Sequence, residues 1–418
     1  MENYQTTALV KNIKAWGFWS LGASFYFFKN LLMVAPSVLT MQLMQSFHMT
    51  ATGLGNLSAC FFYAYLFMQV PVGLILDRYG IRWCTGIAIM LCALCTLSFA
   101  CANSLVIAQI ARAGMGLSGA FASVSSFKLA TIWFSPKRFA FIGGLGLAIG
   151  MIGAFAGGAP LTILISYTGW RVALLLISAC MFLLGIFYMI IVPNADPQKE
   201  HANPLFRSIL LVLRQVVLNK KTWILCLFCG LAYTPISVFN GLWGVPFLQT
   251  ALHLDSAKAA GLLSLGFIGF AVGCPLAGWL MKSMNQAVRI MQVGVFMAFI
   301  VLVILLYSTP NSLMSVGGLN FIFGLGTGSY FLCFSLIRMM HPPQLAATTI
   351  ALVTTFESLC QAISQPLIGI MLDYVWKDKI FNGAPIYTLG NYQHVLWLCL
   401  LYLLIAFIVL FFVREKSN

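Results

Sequence analysis

The chain consists of apolar runs that follow one another almost from end to end. Each run has about 20 residues, the length that a helix needs to cross the hydrocarbon core of a membrane. Hydrophobic residues make up 61% of the chain and charged residues only 8%, whereas soluble domains contain about 25% charged residues. The sequence therefore predicts an all-α membrane protein with twelve transmembrane helices. The predicted helices are 16–40, 53–76, 84–102, 105–134, 140–165, 170–193, 222–250, 259–281, 288–308, 312–339, 345–373 and 393–413.

A polar stretch separates the twelve runs into two groups of six. We expect an N-terminal six-helix bundle at 1–193, a cytoplasmic linker at 194–221 and a C-terminal six-helix bundle at 222–418. From Leu205 onward, apolar residues recur among basic ones in the linker, which is typical of an amphipathic helix on a membrane surface. The first fifteen residues are polar and lack the hydrophobic core of a signal peptide, so we expect the first run to stay in the membrane.

The net charge of +14 would suggest nucleic-acid binding in a soluble protein, but its distribution indicates a membrane topology. With the N-terminus inside, sixteen basic residues fall in cytoplasmic segments and four in outer loops. Because basic residues are enriched on the cytoplasmic side of membrane proteins, both termini are predicted to be cytoplasmic. The basic side would attract anionic membrane lipid. We expect a multi-pass protein of a cell inner membrane that binds no nucleic acid.

Catalytic, metal and nucleotide chemistry find little support in the sequence. There is no phosphate-binding loop that ends in Lys-Ser or Lys-Thr, so direct coupling to ATP is not expected. The twelve cysteines lie mostly in the predicted helices without neighbouring histidine or acidic residues. We interpret them as packing residues and expect no metal and no cofactor. A membrane-embedded enzyme would need a clustered catalytic set that the sequence does not suggest, and a non-transporting receptor is a further alternative.

Two charged residues stand in the middle of apolar runs. Lys29 comes thirteen residues after Trp16, or about 20 Å along a helix, and Glu357 comes twelve residues after Leu345, or about 18 Å. A charge near the bilayer centre is costly and is usually kept where it faces a wet cavity or a partner. Lys29 can attract a carboxylate or a phosphate. The alternative role of Lys29 is structural, as the partner of a helix C-terminus or of Glu357.

For Glu357 the sequence leaves three roles open. Desolvation favours the protonated form of a carboxyl group and a nearby cation favours the ionised form. A carboxyl group between these influences can exchange a proton as a cavity opens and closes, and this is our preferred role for Glu357. The other two roles are binding of a substrate ammonium group and a static salt bridge with Lys29.

An internal repeat relates the two groups of runs. Arg112 and Gly116 stand in the fourth run at the same spacing as Asn320 and Gly324 in the tenth. Such repeats are the usual construction of secondary transporters, whose binding sites lie between the repeats. Arg112 lies about 10 Å from the outer end of its predicted helix. Anion recognition, modulation of a proton and bracing of the helix are equal alternatives for this arginine.

The segment GLILDRYGIRW, between the second and third runs, resembles the loop signature of the major facilitator superfamily. The matching residues are Gly73, Asp77, Arg78, Gly80 and Arg82. The resemblance implies two pseudo-symmetric six-helix bundles that work by alternating access, with this loop as a cytoplasmic gate. Glycine permits a close helix crossing, and Asp77 can accept charge-assisted hydrogen bonds from arginines or from a helix N-terminus.

Two further segments resemble branches of the same superfamily. IGAFAGG, from Ile152 to Gly158, is similar to the fifth-helix motif of its antiporters, but Ala154 stands where that motif has proline. SFYFFKNLLMVAP is similar to the first helix of its organic anion symporters, with Tyr26 matching a tyrosine and Lys29 replacing an arginine. These likenesses favour symport of an organic anion over antiport.

Polar and aromatic residues of several predicted helices complete the candidate site. The candidate substrate-binding residues are Lys29, Tyr26, Asn30, Tyr63, Arg112, Tyr233, Asn240, Trp243, Tyr330, Gln361 and Gln365, and the candidate proton-coupling residue is Glu357. We expect a monomeric secondary transporter that takes up a small carboxylate-bearing metabolite, an organic acid or an amino acid, together with a proton. A proton-driven efflux antiporter of drugs or other amphiphiles is the alternative.

Overall fold

The structure is a computed structural model that describes residues 2–193, 219–308, 312–340, 346–376, 380–381 and 384–413. Within these ranges the chain is helical almost throughout, which confirms the all-α fold class. Two short strands of two residues each, β1 (Ile380–Phe381) and β2 (Ala384–Pro385), pair in the antiparallel direction. The amphipathic helix predicted in the linker lies outside the described residues, which resume at Asn219.

The N-terminal half contains helices α1 to α8. Their bounds are α1 (Glu2–Val34), α2 (Thr40–Phe47), α3 (Ala51–Tyr79), α4 (Ile81–Ala100), α5 (Leu105–Trp133), α6 (Pro136–Ala156), α7 (Ala159–Thr168) and α8 (Trp170–Ile191). A 3₁₀ turn at Ala35–Ser37 follows α1, because Pro36 has no backbone N–H to continue the helix. The chain bends by 69° between α1 with this turn and α2.

The C-terminal half contains helices α9 to α16. Their bounds are α9 (Lys220–Val238), α10 (Gly244–Leu252), α11 (Ser256–Leu280), α12 (Met284–Val303), α13 (Leu313–Gly328), α14 (Leu332–Met340), α15 (Ala346–Val375) and α16 (Leu389–Val409). A π-helical turn at Phe239–Trp243 joins α9 to α10. Such turns are frequent at functional positions, and this one lies in the run whose prolines and glycines predict a bendable helix.

Nine helical segments of the described chain are long and apolar enough to cross a membrane, or ten if the bent pair around Ala35–Ser37 counts as one span. Helices α3 and α15 are not among the nine, although they have 29 and 30 residues. At about 1.5 Å per residue, each is more than 40 Å long. Both helices carry polar residues in their middle parts, and these residues bear on the candidate site.

The internal repeat has a geometric counterpart in the helix crossings. Helix α5 crosses α3 at Gly116, where an added Cβ atom would lie 2.0 Å from the Phe61 carbonyl oxygen. Helix α13 crosses α11 at Gly324, where an added Cβ atom would lie 1.8 Å from the Gly266 carbonyl oxygen. Glycine is required at both crossings because any side chain would force the helices apart. The repeated glycines therefore hold equivalent helix pairs together in the two halves.

The two halves meet along α3 and α15 and along α6, α7 and α11. At the end where α3 begins and α15 ends, called here the Asp373 end, the Asp373 carboxylate accepts hydrogen bonds from the Thr50 hydroxyl at 2.6 Å and the Thr52 amide at 2.9 Å. The Ala51 amide lies 3.2 Å from the same carboxylate, and the Tyr387 hydroxyl donates to it. A carboxylate at a helix N-terminus is stabilised by the free amides and the helix dipole. Asp373 therefore ties the C-terminal half to the start of α3.

Candidate functional site

Lys29 is buried on α1, with 7% of its surface exposed. Its ammonium group donates one hydrogen bond to the Asn30 amide oxygen at 3.3 Å and lies 3.8 Å from the Met33 sulfur. The same nitrogen lies 4.8 Å from the centre of the Tyr65 ring and 5.6 Å from that of Tyr26, within the range of cation–π attraction. A lysine ammonium has three donors, so these neighbours leave it able to bind an anion.

Small residues on neighbouring helices fix the position of α1. An added Cβ atom at Gly153 of α6 would lie 2.2 Å from the Phe27 carbonyl oxygen. An added Cβ atom at Gly119 of α5 would lie 3.1 Å from the Lys29 side chain. The glycines of the antiporter-like segment therefore serve close packing in this protein, since they seat the part of α1 that carries Lys29.

Glu357 lies on α15 and keeps part of its surface accessible. Its carboxylate is 3.5 Å from the Gln361 side-chain nitrogen, which also approaches the Glu357 carbonyl oxygen at 3.3 Å. The Ser237 hydroxyl of α9 donates to the Gln361 amide oxygen at 2.6 Å. Because that bond fixes the oxygen of the amide, it turns the Gln361 nitrogen toward Glu357. The contact from Gln361 is long for a hydrogen bond, so the carboxylate also has free acceptor capacity.

Lys29 and Glu357 belong to different halves and act on each other electrostatically. The other titratable side chains that Glu357 influences are Tyr26, Tyr65, Cys229, Tyr233, Tyr330 and Cys360. These groups come from both halves, so Glu357 faces the seam between them. Lys29 and Glu357 form no ion pair within 4.0 Å, whereas Asp255 and Lys258 do so at 3.2 Å. The site thus holds an amine and a carboxyl group that influence each other without forming an ion pair.

An aromatic cluster occupies the C-terminal side of the seam. The Tyr233 and Tyr330 rings are stacked with centroids 5.1 Å apart, and the Phe270 ring lies 5.4 Å from Tyr330 and 5.6 Å from Tyr233. Both tyrosines are within electrostatic range of Glu357. The cluster supplies an apolar surface with hydroxyl groups, which suits a small polar ligand that needs orientation.

Tyr65 is a site residue that the list of candidates from the sequence does not contain. It lies beside Lys29, whereas the candidate Tyr63 is 42% exposed and makes no contact with Lys29 in this structure. The two residues are two positions apart on α3, which turns their side chains about 200° apart around the helix. The position of α1 relative to α3 decides which of them faces the site.

Arg112 lies inside the N-terminal half rather than in the cluster around Lys29. It is 2% exposed, donates to the Leu32 carbonyl oxygen at 2.8 Å and stacks on the Phe61 ring at 5.1 Å. Its Nε and Nη2 groups have no hydrogen-bond partner. The carbonyl it binds belongs to α1, so Arg112 braces the helix that carries Lys29.

Two other candidates lie inside the C-terminal half. The Asn240 side chain donates to the Leu263 carbonyl oxygen at 3.0 Å. Trp243, in the same π-helical turn, is fully buried and its indole N–H has no partner. The turn lies against the 3₁₀ turn at Ala35–Ser37 of the other half. Asn240 and Trp243 therefore pack within the C-terminal half, in a turn that contacts the N-terminal half.

The gate-loop residues are placed at the junction of α3 and α4. Gly80 has φ = 84°, a conformation that only glycine adopts without strain. The Arg82 guanidinium donates to the Met189 carbonyl oxygen at 2.6 Å, and exposed Arg78 stacks on the ring of its neighbour Tyr79.

Of the other two gate residues, the structure describes the surroundings of Gly73 only. An added Cβ atom at Gly73 would meet nothing within 4 Å, so the close crossing expected there is not made in this conformation. The Asp77 side chain, and with it the predicted latch, lies outside the described part of the structure.

Among the described residues, no three His, Cys, Asp or Glu side chains are grouped so that they could hold a metal ion. A helical membrane fold of two related halves, with opposite charges facing each other across the seam, is instead typical of secondary transporters. The sequence matches the family model of the Major Facilitator Superfamily over residues 18–365. The chain belongs to this superfamily.

Individual relatives agree with this assignment. The chain is 29% identical over 273 residues to the uncharacterized transporter YybO of Bacillus subtilis (strain 168), covering 59% of this chain and 60% of YybO. It is 23% identical over 364 residues to the probable L-galactonate transporter of Escherichia coli (strain K12), covering 81% and 78% of the two chains. The crystal structure of a bacterial homolog of the human lysosomal transporter Spinster, in an inward-facing and occupied conformation, superposes with a TM-score of 0.76 at 16% identity, covering 96% and 98%. That likeness concerns the fold alone. The superfamily and the two relatives named here are transporters rather than enzymes.

Proposed function

We propose that the protein is a secondary active transporter that takes up a small carboxylate-bearing metabolite together with a proton, by alternating access. In this proposal the chain has twelve membrane spans with both termini in the cytoplasm, and it works as a monomer in a cell inner membrane. Residues 1–193 and 222–418 form the two moving bundles, and 194–221 tether them. The unpaired charges of Lys29 and Glu357 on opposite sides of the seam are the observation that carries the proposal.

The charge balance of the site gives a reason for coupling. With Lys29 and Glu357 both ionised, the empty site is neutral. A bound carboxylate adds one negative charge, and an uncompensated charge in a buried site is costly. Protonation of Glu357 restores neutrality, so substrate and proton favour each other's binding. The remaining donor of Lys29 and the partial exposure of Glu357 support these roles.

The remaining candidate residues other than Gln365 divide into two groups in this proposal. Tyr26, Asn30, Tyr233, Tyr330 and Gln361 lie with the two charges and would contact the substrate or position the charged groups. Arg112, Asn240, Trp243 and Tyr63 lie away from them, and we propose that they support helix packing. The gate-loop residues Gly73, Asp77, Arg78, Gly80 and Arg82 would close the cytoplasmic end.

The contacts of the two halves support alternating access. On the predicted topology the Asp373 end faces outward, and there α3 and α15 are held together by hydrogen bonds that cross the seam. The structure would then represent a state closed to the outside. Opening to the outside requires that these bonds break, which gives the cycle a defined outer gate.

The relatives support the substrate class. The probable L-galactonate transporter is named for a hydroxylated carboxylate, and a carboxylate is the group that Lys29 would bind. The hydroxyl groups of Tyr26, Tyr65, Tyr233 and Tyr330 could serve the hydroxyl groups of such a substrate.

Efflux of amphiphiles is the second candidate function, because the stack of Tyr233, Phe270 and Tyr330 would also suit an aromatic ligand. A thermal-shift screen of the purified protein against organic acids, amino acids and lipophilic cations distinguishes the two. We expect organic acids, with L-galactonate as the first probe, to raise the melting temperature, and this effect to disappear in Lys29→Ala. Stabilisation by lipophilic cations alone would contradict uptake of a carboxylate. Counterflow of the labelled hit in liposomes separates a transporter from a receptor.

A further inference from the structure

A small cavity lies at the seam on the Asp373 side of Glu357. Its volume is about 10 Å³, the least that holds one water molecule. The cavity is lined by Met33, Val34 and Phe62 of the N-terminal half and by Tyr233, Ser237, Gly241, Phe267 and Gln365 of the C-terminal half. Gln365 comes eight residues after Glu357 on α15 and eight residues before Asp373, or about 12 Å from each along the helix.

The hydrogen bonds around the cavity leave two acceptors without a donor. The Ser237 hydroxyl gives its hydrogen to the Gln361 amide oxygen at 2.6 Å, so its own oxygen can only accept a further bond. The Gln365 amide oxygen is buried without any partner in a side chain that is 2% exposed. A buried polar atom without a partner costs free energy, and such atoms in folded proteins are usually satisfied by a water molecule.

We propose that one ordered water molecule occupies this cavity and donates its two hydrogens to Gln365 and Ser237. One hydrogen of the water would satisfy the unpaired Gln365 oxygen, and the other would bind the Ser237 oxygen, which can accept a further bond. The result is a continuous chain from Gln365 through the water, Ser237 and Gln361 to Glu357. This inference rests on the proposed function for the coupling role of Glu357, whereas the water site itself rests on the cavity and its unpaired acceptor.

The chain of hydrogen bonds positions Gln361 for its contact with Glu357. Its fixed orientation points the Gln361 N–H groups at the carboxylate, and donors favour the ionised form of a carboxyl group. Gln365 and Ser237 are therefore positioning residues for the proton site. Because hydrogen bonds in a chain strengthen one another, loss of the water would weaken the bond from Ser237 that orients the Gln361 amide, and with it the support for the carboxylate.

The cavity also separates Glu357 from the Asp373 end. Between the cavity and that end, α3 lies directly on α15, and an added Cβ atom at Gly55 would lie 2.6 Å from the Gln365 carbonyl oxygen. Because both halves line the cavity, separation of α3 from α15 would connect it to the solution at the Asp373 end. We expect a proton that enters from that side to reach Glu357 by way of the proposed water.

The first test needs no variant and no substrate. A structure of the full chain in lipid, at a resolution that shows ordered water, should contain one peak within hydrogen-bond distance of both the Gln365 amide and the Ser237 hydroxyl. An empty cavity, or a Gln365 amide that bonds to protein instead, would overturn the inference.

The second test measures titration of the Glu357 carboxyl group by infrared spectroscopy of the liposome-embedded protein. The carboxyl band is assigned by its absence in Glu357→Gln. In Gln365→Met we expect the band to titrate at a higher pH, by about threefold to tenfold in proton concentration, the effect of one hydrogen bond. The matched control is Gln292→Met, which changes a buried glutamine of α12 outside the cavity and should titrate as the wild type does.

The outcomes separate the inference from the proposed function. Identical titration in Gln365→Met and Gln292→Met would overturn the water-linked chain, even if Glu357→Gln abolishes coupling. Proton-driven uptake that survives in Glu357→Gln would overturn the proposed function, while the water peak would still decide the cavity. Melting temperatures of both methionine variants show whether they fold, and the structure of the wild type tests the inference if one does not.

Discussion

Lys29 of α1 and Glu357 of α15 belong to opposite halves and influence each other electrostatically, yet they are not joined as an ion pair. A tight pair would satisfy both charges and leave nothing for a ligand. Separated charges are costly in a buried site unless they are used. This arrangement gives a physical reason why an anion and a proton would bind together, and it leads to the predictions below.

Replacement of Lys29 by alanine should remove the main attraction for a carboxylate. Hydrogen bonds to charged groups contribute about 1.5–3 kcal/mol, so we expect affinity to fall by about tenfold to a hundredfold in a binding assay with L-galactonate or another screening hit. Lys258→Ala is the control, since Lys258 is exposed and pairs with Asp255 at the start of α11, away from Lys29 in the sequence. Equal affinity in Lys29→Ala and wild type would remove Lys29 from the site.

Tyr65 should matter through the face of its ring. In Tyr65→Leu the ammonium of Lys29 loses a ring at 4.8 Å, and a cation–π contact contributes about 0.5–2 kcal/mol. We expect substrate affinity to fall by about threefold to tenfold in Tyr65→Leu and to be largely kept in Tyr65→Phe. The same change at Tyr63, which is exposed on another side of α3, should have little effect. A larger loss in Tyr63→Leu than in Tyr65→Leu would reverse the assignment.

These two tyrosines show where sequence-based inference ends. Long apolar runs, the repeated glycines and the gate-loop motif predict the family, the helical architecture and the two buried charges, because burial and helix packing impose regular patterns on the sequence. The choice between Tyr63 and Tyr65 depends on the rotation of α3 against α1. Likewise, the bonds of Asp373 join residues more than 320 positions apart, and no local pattern marks such a contact.

The close contact between α1 and α6 should not tolerate a side chain at Gly153. In Gly153→Ala the new methyl group would meet the Phe27 carbonyl oxygen, and overpacking of this kind costs about 1–3 kcal/mol. We expect a lower melting temperature and weaker substrate binding, because the segment that carries Lys29 must shift. Gly144→Ala on the same helix is the control, since a Cβ atom there meets nothing within 4 Å. Equal melting temperatures for the two variants would contradict the packing described here.

Removal of the Asp373 carboxylate should favour opening of the Asp373 end. The carboxylate accepts bonds from Thr50 and Thr52, and bonds to charged groups contribute about 1.5–3 kcal/mol. The open fraction in Asp373→Ala should therefore rise by about tenfold or more relative to the closed one. Spin labels at exposed Ser46 and Lys258, on opposite halves, would report a longer distance between them.

The control for this gate is Asp255→Ala, studied with the second label moved from Lys258 to exposed His394 in both variants. The backbone N–H and ammonium group of Lys258 hold the pKa of Asp255 below its usual range, so this aspartate is also ionised, but its partner lies in its own half. An unchanged distance distribution in Asp373→Ala, or an equal change in Asp255→Ala, would show that Asp373 does not hold the end closed.

The central claim is that Glu357 carries the proton that drives uptake. The most direct measurement compares accumulation of labelled substrate, driven by a pH gradient, with counterflow in the same liposomes for wild type and Glu357→Gln. Glutamine resembles the protonated carboxyl group but cannot release a proton, so the account predicts that Glu357→Gln keeps counterflow and loses accumulation. Accumulation at the wild-type level in Glu357→Gln would contradict it.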